Sequence, residues 1–226
     1  MTFDTALILP SLLAADWSQV GAEVQRAEAA GATRLHLDVM DGHFVDNISF
    51  GPQMVEVVRK CSSKMYLDVH LMIHRPDHYL PRFIAAGANN ITVHVEARYD
   101  SSVEETLQKI KAAGLDCGIA LHPNTPFEAA IPYLQYLDLL LIMTVVPGFG
   151  GQPFMEKETM PKLAAARDYR TAHQLEYHLQ VDGGIHLQSA PIAKANGANL
   201  FVCGTSAFGK GDMAAAMAGL KAAVGG

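Results

Sequence analysis

Two short segments of the sequence carry ligand-type side chains at alternate positions. His36 and Asp38 are separated by one leucine, and Asp68 and His70 are separated by one valine. In a β-strand, residues i and i+2 lie on the same face, so each pair would project to one side while its apolar neighbours pack on the other. Asp182 follows a third apolar run and precedes two glycines. Two imidazoles and two carboxylates from these segments, His36, Asp38, His70 and Asp182, form an N2O2 set suited to one Zn2+, Fe2+, Mn2+ or Co2+ ion.

Each of these residues taken alone is also typical of a hydrogen-bonded loop anchor at a strand end. Four such groups from three strands are harder to explain in that way, because ionisable side chains inside a protein cost several kcal/mol unless they are paired or bind a metal. Among the other histidines, His43 and His94 lie at predicted strand ends without a second ligand two residues further on, which limits them to a supporting role. The remaining histidines are interpreted as loop or surface residues.

Three methionines, Met40, Met72 and Met143, also lie near the ends of predicted strands. Methionine is a flexible filler of irregular apolar gaps, so a core position and a position lining the site are both consistent with the pattern. No lysine lies at the carboxyl ends of these strands, which argues against Schiff-base chemistry.

Short apolar runs alternate along the whole chain with longer stretches of helical period, in units of about 28 residues. The pattern predicts strands at 6–9, 34–39, 65–71, 91–94, 117–121, 139–144, 178–181 and 200–203. It predicts helices near 17–30, 51–60, 77–86, 103–113, 126–135, 158–173, 187–196 and 212–223.

Eight β–α units without a linker predict an α/β chain folded as a (β/α)8 barrel, with residues 1–226 as a single domain. A doubly wound open sheet is the alternative. Open dinucleotide-binding sheets carry G-x-G-x-x-G after the first strand, whereas residues 10–16 are PSLLAAD, which favours the barrel. Because catalytic residues of such barrels gather at the carboxyl ends of the strands, we expect the ligand-type residues to meet at one mouth of the barrel.

Glycine-rich segments follow the predicted strands six, seven and eight. They contain Gly148, Phe149, Gly150 and Gly151, then Gly183 and Gly184, and finally Gly204 and Thr205. Barrels commonly bind phosphate through backbone N–H groups of the last two of these loops, and a glycine-rich loop can also move as a lid. Since these segments contain no Lys or Arg, we predict a phosphate pocket built from backbone, sensitive to Gly184 and insensitive to Lys210.

Composition excludes several other classes of protein. The net charge is −6 and the 17 Lys and Arg residues are scattered, which argues against nucleic acid as a partner. The three cysteines are far apart and form no C-x-x-C, so neither a disulfide framework nor a thiolate zinc site is expected. The first residues lack the basic and apolar regions of a signal peptide, and no apolar run approaches the roughly 20 residues that span a membrane. We therefore expect a cytoplasmic protein that does not bind membranes.

The motifs together resemble the ribulose-phosphate 3-epimerase family, over nearly the whole chain. The matching segments are PSLL at 10–13, HLDVMDGHFV at 36–45, LDVHLM at 67–72, HVEA at 94–97, VPGFGGQ at 146–152 and VDGGI at 181–185. The resemblance implies a (β/α)8 barrel that inverts C3 of D-ribulose 5-phosphate to give D-xylulose 5-phosphate, reversibly. It also implies assembly of the chain into a dimer or a hexamer.

The resemblance implies roles for individual residues as well. His36, Asp38, His70 and Asp182 would bind the divalent metal ion, and Asp38 and Asp182 would be the two acid–base groups. The substrate would contact Ser11, His70, Gly148, Phe149, Gly150, Gly151, Asp182, Gly183, Gly184, Gly204 and Thr205. Inversion next to a ketone removes a proton from one face and returns one to the other, so two carboxylates from different strands, acting through a metal-stabilised enediolate, are the simplest arrangement.

Alternatives to this substrate and activity stay open at this point. Asp46, Val146 and Thr205 stand where the family usually has other residues, so the fine preference for one ketose phosphate is not determined. An epimerase of D-allulose 6-phosphate would need the same metal and carboxylates. A non-catalytic sugar-phosphate-binding protein would have no reason to keep both Asp38 and Asp182. Related barrel decarboxylases and lyases would carry Asp-x-Lys where this chain has Asp68-Val69-His70.

Overall fold

Eight parallel strands form the inner ring of the protein, in a computed structural model that describes residues 5–209 and 211–225. The strands are β1 (Leu7–Pro10), β2 (Arg34–Met40), β3 (Tyr66–Met72), β4 (Asn90–His94), β5 (Asp116–Leu121), β6 (Leu139–Met143), β7 (His178–Asp182) and β8 (Leu200–Cys203). Their order is β1-β8-β7-β6-β5-β4-β3-β2, and a parallel bridge between Ser11 and His36 joins the two end strands. Each strand therefore neighbours the next along the chain, which confirms the predicted (β/α)8 barrel and excludes the doubly wound sheet.

Helices follow the strands and cover the outside of the ring. They are α1 (Val20–Ala29), α2 (Pro52–Cys61), α3 (Pro76–Ala85), α4 (Val103–Ala112), α5 (Glu156–Ala172), α6 (Ser189–Ala195), α7 (Thr205–Phe208) and α8 (Met213–Ala223). Except for the predicted helix at 126–135, the predicted strands and helices overlap these elements, with ends displaced by a few residues. The short helix α7, directly after β8, was not predicted.

One predicted helix, at 126–135, is wrong in type. The segment Phe127–Tyr136 is instead a 3-10 helix that contains Pro132. Proline lacks the N–H needed for an i to i−4 hydrogen bond, and its ring collides with the carbonyl four residues before it. A 3-10 helix also lacks the proline N–H, and α3 and α5 remain α-helical around Pro81 and Pro161. Pro132 alone therefore does not account for the 3-10 helix that connects β5 and β6.

The interior of the ring has an apolar half and a polar half. The apolar half consists of side chains on or directly after β1, β5, β6 and β8: Leu9, Ala120, Leu139, Leu141, Met143, Val145, Leu200 and Val202. The polar half consists of buried side chains on β2, β3, β4 and β7: His36, Asp38, Asp68, His70, Asn90, Thr92, His94 and Gln180. The alternate residues of the polar strands, such as Leu37, Val69 and Val93, point outward and pack in the same core cluster as the helices.

Two further expectations concern the chain as a whole. Cys61, Cys117 and Cys203 are free thiols, of which Cys117 and Cys203 are buried and Cys61 is partly exposed. Within the described ranges, the helices are all too short or too polar to cross a membrane. The first four residues, on which the prediction about a signal peptide partly depends, and Lys210 lie outside the described residues.

Candidate active site

Four predicted ligands converge at the carboxyl ends of β2, β3 and β7. His36 pairs in register with Asp68 across β2 and β3, and Asp38 pairs with His70, so the two strands place their polar residues on the same inward face. Asp182 is the last residue of β7, and its side chain approaches the same place from the opposite part of the ring. One ligand atom from each of His36, Asp38, His70 and Asp182 lies within 4.8 Å of the other three.

The distances between these atoms fit a small divalent ion. Asp38 Oδ1 lies 3.1 Å from His36 Nε2 and 3.2 Å from His70 Nδ1, and the two ring nitrogens are 3.4 Å apart. Asp182 Oδ2 is 3.8 Å from each of the same ring nitrogens. Ligand atoms about 2.1 Å from a tetrahedral ion are about 3.4 Å from one another. Two neutral nitrogens and two carboxylate oxygens at these distances suit Zn2+ and its first-row neighbours.

The imidazole of His36 is held from behind by a buried carboxylate. Its Nδ1 lies 2.8 Å from Asp68 Oδ2, and the Asp68 carboxylate also accepts hydrogen bonds of 2.6 Å from the side-chain amides of Asn90 and Gln180. Asp68 can only accept, so the Nδ1 of His36 donates to it, and in the neutral ring the lone pair is on Nε2, which faces the site. A carboxylate in this position is the usual support for a metal-binding histidine.

The imidazole of His70 is supported differently, by a second histidine. His70 Nε2 lies 2.9 Å from His94 Nε2, and His94 Nδ1 lies 3.0 Å from Glu96 Oε2. The expectation that His94 has no second ligand two residues further on is wrong, because Glu96 stands at that position. Asn90 and Gln180 were not predicted to have a role, although the alternation of polar residues along β4 and β7 was the signal that could have identified them.

The two carboxylates at the site have opposite pKa shifts. Burial alone would raise the pKa of Asp38, but the adjacent imidazoles of His36 and His70 outweigh it and hold the pKa well below its usual range. Burial, followed by the charge of Asp38, raises the pKa of Asp182 to about 7. In the protein without a metal, Asp38 is thus ionised near neutral pH, while Asp182 is divided between its protonated and ionised forms. Carboxyl groups separated in this way are suited to act as a base and an acid in one reaction.

The two imidazoles also have opposite pKa shifts in the protein without a metal. Burial, the largest influence, lowers the pKa of His70 to about 4, so this ring is neutral. Burial also acts to lower the pKa of His36, but the charges of Asp38 and Asp68 outweigh it and raise the pKa well above its usual range. Metal binding would therefore displace a proton from His36.

A cavity of about 610 Å3 opens above the four residues. His36 and His70 have no exposed surface and lie beneath its floor, whereas Asp38 and Asp182 line it. Ser11 lines the cavity as well, and its hydroxyl donates to Asp38 Oδ2 over 2.5 Å. Met40, Met72 and Met143, for which the sequence allowed either a core position or a position lining the site, belong to the apolar part of the cavity wall.

The glycine-rich loops form the other side of the cavity. All of their predicted substrate residues line it: Gly148, Phe149, Gly150, Gly151, Gly183, Gly184, Gly204 and Thr205. Asn47 donates to the carbonyl of Gly148 over 2.6 Å, and Gln152 donates to the carbonyls of Val146 and Phe149, so the loop after β6 is braced at several points. Among the described residues, neither Lys nor Arg lines this cavity.

Glycine is required by geometry in the loop after β7. Gly183 has φ +113°, and a Cβ there would lie 2.4 Å from the side chain of Val145. Gly184 has φ +64°, and a Cβ there would lie 2.7 Å from the backbone nitrogen of Phe154. Both positions combine a left-handed backbone with close packing against the segment that follows β6. The two loops are therefore held together through contacts that only glycine permits.

Comparison with known proteins places the chain in a family. Residues 7–208 match the model of the ribulose-phosphate 3 epimerase family. A ribulose-phosphate 3-epimerase of Bacillus subtilis is 41% identical over 217 residues, covering 95% of this chain and 97% of that protein. A ribulose-phosphate 3-epimerase of Rhodobacter capsulatus is 43% identical over 215 residues, covering 94% of this chain and 91% of that protein.

Solved structures with much lower sequence identity share the fold. A thiamine phosphate pyrophosphorylase from Pyrococcus furiosus has a TM-score of 0.64 at 16% identity, covering 98% of this chain and 96% of that chain. This likeness concerns the architecture alone, because barrels of one shape host many unrelated reactions. The sequence relatives are informative about descent, and on that evidence the chain belongs to the ribulose-phosphate 3-epimerase family.

Proposed function

We propose that this protein interconverts D-ribulose 5-phosphate and D-xylulose 5-phosphate by inverting C3. The observation that carries the proposal is the pair of carboxylates, Asp38 and Asp182, which share the floor of one cavity and have pKa values shifted in opposite directions. The names of the relatives support the choice of substrate. The absence of a lysine from the described cavity wall is consistent with proton transfer without a covalent intermediate.

Asp38 and Asp182 carry out the two proton transfers of this reaction. In one direction, the ionised carboxylate takes the proton from C3, which is acidified by the neighbouring ketone. The protonated carboxylate then delivers a proton to the opposite face of the same carbon, and the two groups exchange roles in the reverse direction. Ser11, which donates to Asp38, orients this carboxylate and favours its ionised form.

His36, Asp38, His70 and Asp182 are proposed to hold one divalent ion, Zn2+, Fe2+, Mn2+ or Co2+. When bound, the ion supplies Lewis-acid stabilisation for the negative charge that develops on the substrate oxygens. The chain contributes the geometry: the buried rings of His36 and His70 turn Nε2 and Nδ1, respectively, toward the site. The apolar wall formed by Met40, Met72 and Met143 limits water around the reacting carbon.

The substrate phosphate is proposed to bind the backbone of the loops after β7 and β8, at Gly183, Gly184, Gly204 and Thr205. Replacement of Gly184 by alanine should raise the KM for the phosphorylated substrate strongly, because the new Cβ would collide with the backbone of Phe154. Gly114→Ala is a matched control, since Gly114 has φ +78° but nothing within 4 Å of a Cβ. Equal KM values for the two variants in steady-state kinetics would contradict this pocket.

The substrate is tested by incubating the protein with a panel of ketose phosphates in D2O and following the reaction by NMR. We expect deuterium to enter C3 of ribulose 5-phosphate and xylulose 5-phosphate faster than any other compound. Preferential labelling of D-allulose 6-phosphate would identify the alternative epimerase. Binding without any exchange would instead indicate a sugar-phosphate-binding protein.

Three further expectations stay predictions. They are that residues 1–226 act as one catalytic domain, that the protein is cytoplasmic, and that it assembles as a dimer or a hexamer.

A further inference from the structure

A chain of hydrogen bonds connects the ring of His70 to a carboxylate outside the proposed ligand set. The rings of His70 and His94 meet edge to edge, with their centroids 5.0 Å apart and their planes inclined by 27°. Their Nε2 atoms are 2.9 Å apart, and His94 Nδ1 is 3.0 Å from Glu96 Oε2. Both rings are fully buried, whereas the Glu96 side chain keeps 25% of its surface exposed. This series of hydrogen bonds, the His70–His94–Glu96 relay, therefore connects a ring beneath the floor of the site to a partly exposed carboxylate.

The direction of these hydrogen bonds follows from the chemistry of the groups. An ionised carboxylate only accepts, so Glu96 requires a proton on Nδ1 of His94. In the neutral ring, this leaves the lone pair of His94 on Nε2, where it can only accept from His70. His70 must then carry its own proton on Nε2, which leaves its Nδ1 bare. That nitrogen is the one that lies 3.2 Å from Asp38 Oδ1, in the proposed ligand set.

The carboxylate of Glu96, at the end of the relay, accepts a hydrogen bond on each of its oxygens. Glu96 Oε1 accepts from the backbone N–H of His122 over 2.8 Å, while Oε2 accepts from His94. The ring of His94 is packed against Phe44, with centroids 4.7 Å apart, and the hydroxyl of Tyr99 donates to the carbonyl of His94. Because both oxygens of residue 96 face donors, a glutamine there would turn its NH2 group toward one of them.

We propose that His94 and Glu96 are positioning residues that hold His70 in the tautomer with a bare Nδ1, ready to bind the divalent ion. The inference rests on the proposed metal site and adds a determinant that does not touch the ion. It also distinguishes the two imidazoles of the site. Asp68 selects the tautomer of His36 directly, whereas Glu96 acts on His70 through an intervening ring.

Glu96→Gln is the variant that tests this relay, with Glu28→Gln as its matched control. Glu28 is also a half-buried carboxylate that accepts a side-chain hydrogen bond, from Ser62 over 2.7 Å, but it contacts none of the proposed ligands. The full chain is stripped of metal and titrated with Co2+ against a competing chelator. We expect Glu96→Gln to bind Co2+ about 10- to 100-fold more weakly than wild type, as is typical when the support of a ligand is lost. Glu28→Gln should bind within about twofold of wild type, since its ligand supports are intact.

The outcomes separate the relay from the metal site on which it rests. Binding of Co2+ by Glu96→Gln that equals wild type would overturn the relay and leave the metal site standing. Failure of the wild-type chain itself to bind Co2+ would overturn both. An equal loss of affinity in Glu28→Gln would show that any lost carboxylate weakens binding, and would also overturn the relay.

The tautomer of His94 gives a second readout that does not depend on affinity or on folding of a variant. In the Zn2+-loaded wild-type chain labelled with 15N, long-range proton–nitrogen NMR identifies which ring nitrogens carry protons. We expect His94 to be protonated at Nδ1 and bare at Nε2. Protonation of His94 at Nε2, or at both nitrogens, would overturn the relay, because His70 could not then donate to it.

Discussion

The two halves of the barrel interior share one ring of strands and have opposite chemistry. Inward side chains on β1, β5, β6 and β8 form an apolar cluster that includes Leu141 and Leu200. Inward side chains on β2, β3, β4 and β7 include imidazoles, carboxylates, amides and one hydroxyl, and those within the barrel are almost fully buried. The apolar half resembles an ordinary protein core, in which stability comes from burial and close packing. The polar half has no comparable source of stability and is explained by what it can bind.

The polar half is nonetheless organised by hydrogen bonds. Asp68 accepts from His36, Asn90 and Gln180, which leaves its carboxylate well satisfied despite being 1% exposed. Among the described residues, Asn90 Oδ1 and Gln180 Oε1 are buried acceptors with no protein partner. Unpaired buried acceptors cost free energy, so this half of the interior is organised at some expense of stability. The comparison indicates that one half maintains the fold while the other maintains the site.

Removal of the metal should give the largest effect that separates the two halves. We expect a chelator to abolish epimerisation, because Lewis-acid stabilisation worth several kcal/mol corresponds to roughly a 1000-fold rate loss or more. Readdition of a divalent ion should restore activity, and elemental analysis of the active protein should give about one ion per chain. Full activity in protein that elemental analysis shows to be free of metal would contradict the role assigned to the polar half.

Substitution in the apolar half should affect stability and leave the site intact. Leu141→Ala removes a fully buried side chain from the apolar cluster and should lower the free energy of unfolding by about 2–5 kcal/mol. Metal content and the turnover of the folded fraction should stay close to wild type. The counterpart in the polar half, Asp68→Asn, should instead weaken metal binding about 10- to 100-fold. Denaturation curves combined with metal titration would sharpen the comparison, and loss of the metal in Leu141→Ala would break it.

A smaller effect is expected on the pH dependence of stability in the metal-free protein. The pKa of Asp182 is about 7 in the folded chain, above its ordinary value of 3.8, because of burial and the charge of Asp38. Its protonated form therefore stabilises the fold below about pH 4, and this contribution is lost as the pH rises through 7. We expect wild type to lose roughly 1–4 kcal/mol relative to Asp182→Asn between pH 4 and 8, measured by urea unfolding. A difference that is constant with pH would contradict the shifted pKa.

The sequence predicted which strands carry polar side chains toward the interior, but it did not predict the hydrogen bonds between those side chains. The alternation in LHLDVM and YLDVHLM predicted which side chains of β2 and β3 share a face, and the apolar run of β6 predicted an ordinary strand. Contacts between distant strands, such as Gln180 with Asp68, depend on how the ring closes, and no local pattern encodes that. The 3-10 segment Phe127–Tyr136 shows another limit, since its apolar pattern suggested an α-helix and its internal proline does not distinguish it from α3 and α5, which also contain one.

The central claim, that Asp38 and Asp182 serve opposite faces of one carbon, is tested most directly by isotope exchange in single variants. Asp38→Asn and Asp182→Asn are each loaded with metal, checked for metal content, and incubated with each epimer in D2O. Loss of one acid–base group should reduce interconversion by roughly 100- to 10,000-fold. The remaining carboxylate should still exchange the C3 proton on its own face, so the two variants should label opposite epimers by NMR. Interconversion by metal-loaded Asp182→Asn at a rate close to wild type would mean that a single base does the chemistry, and would contradict the account.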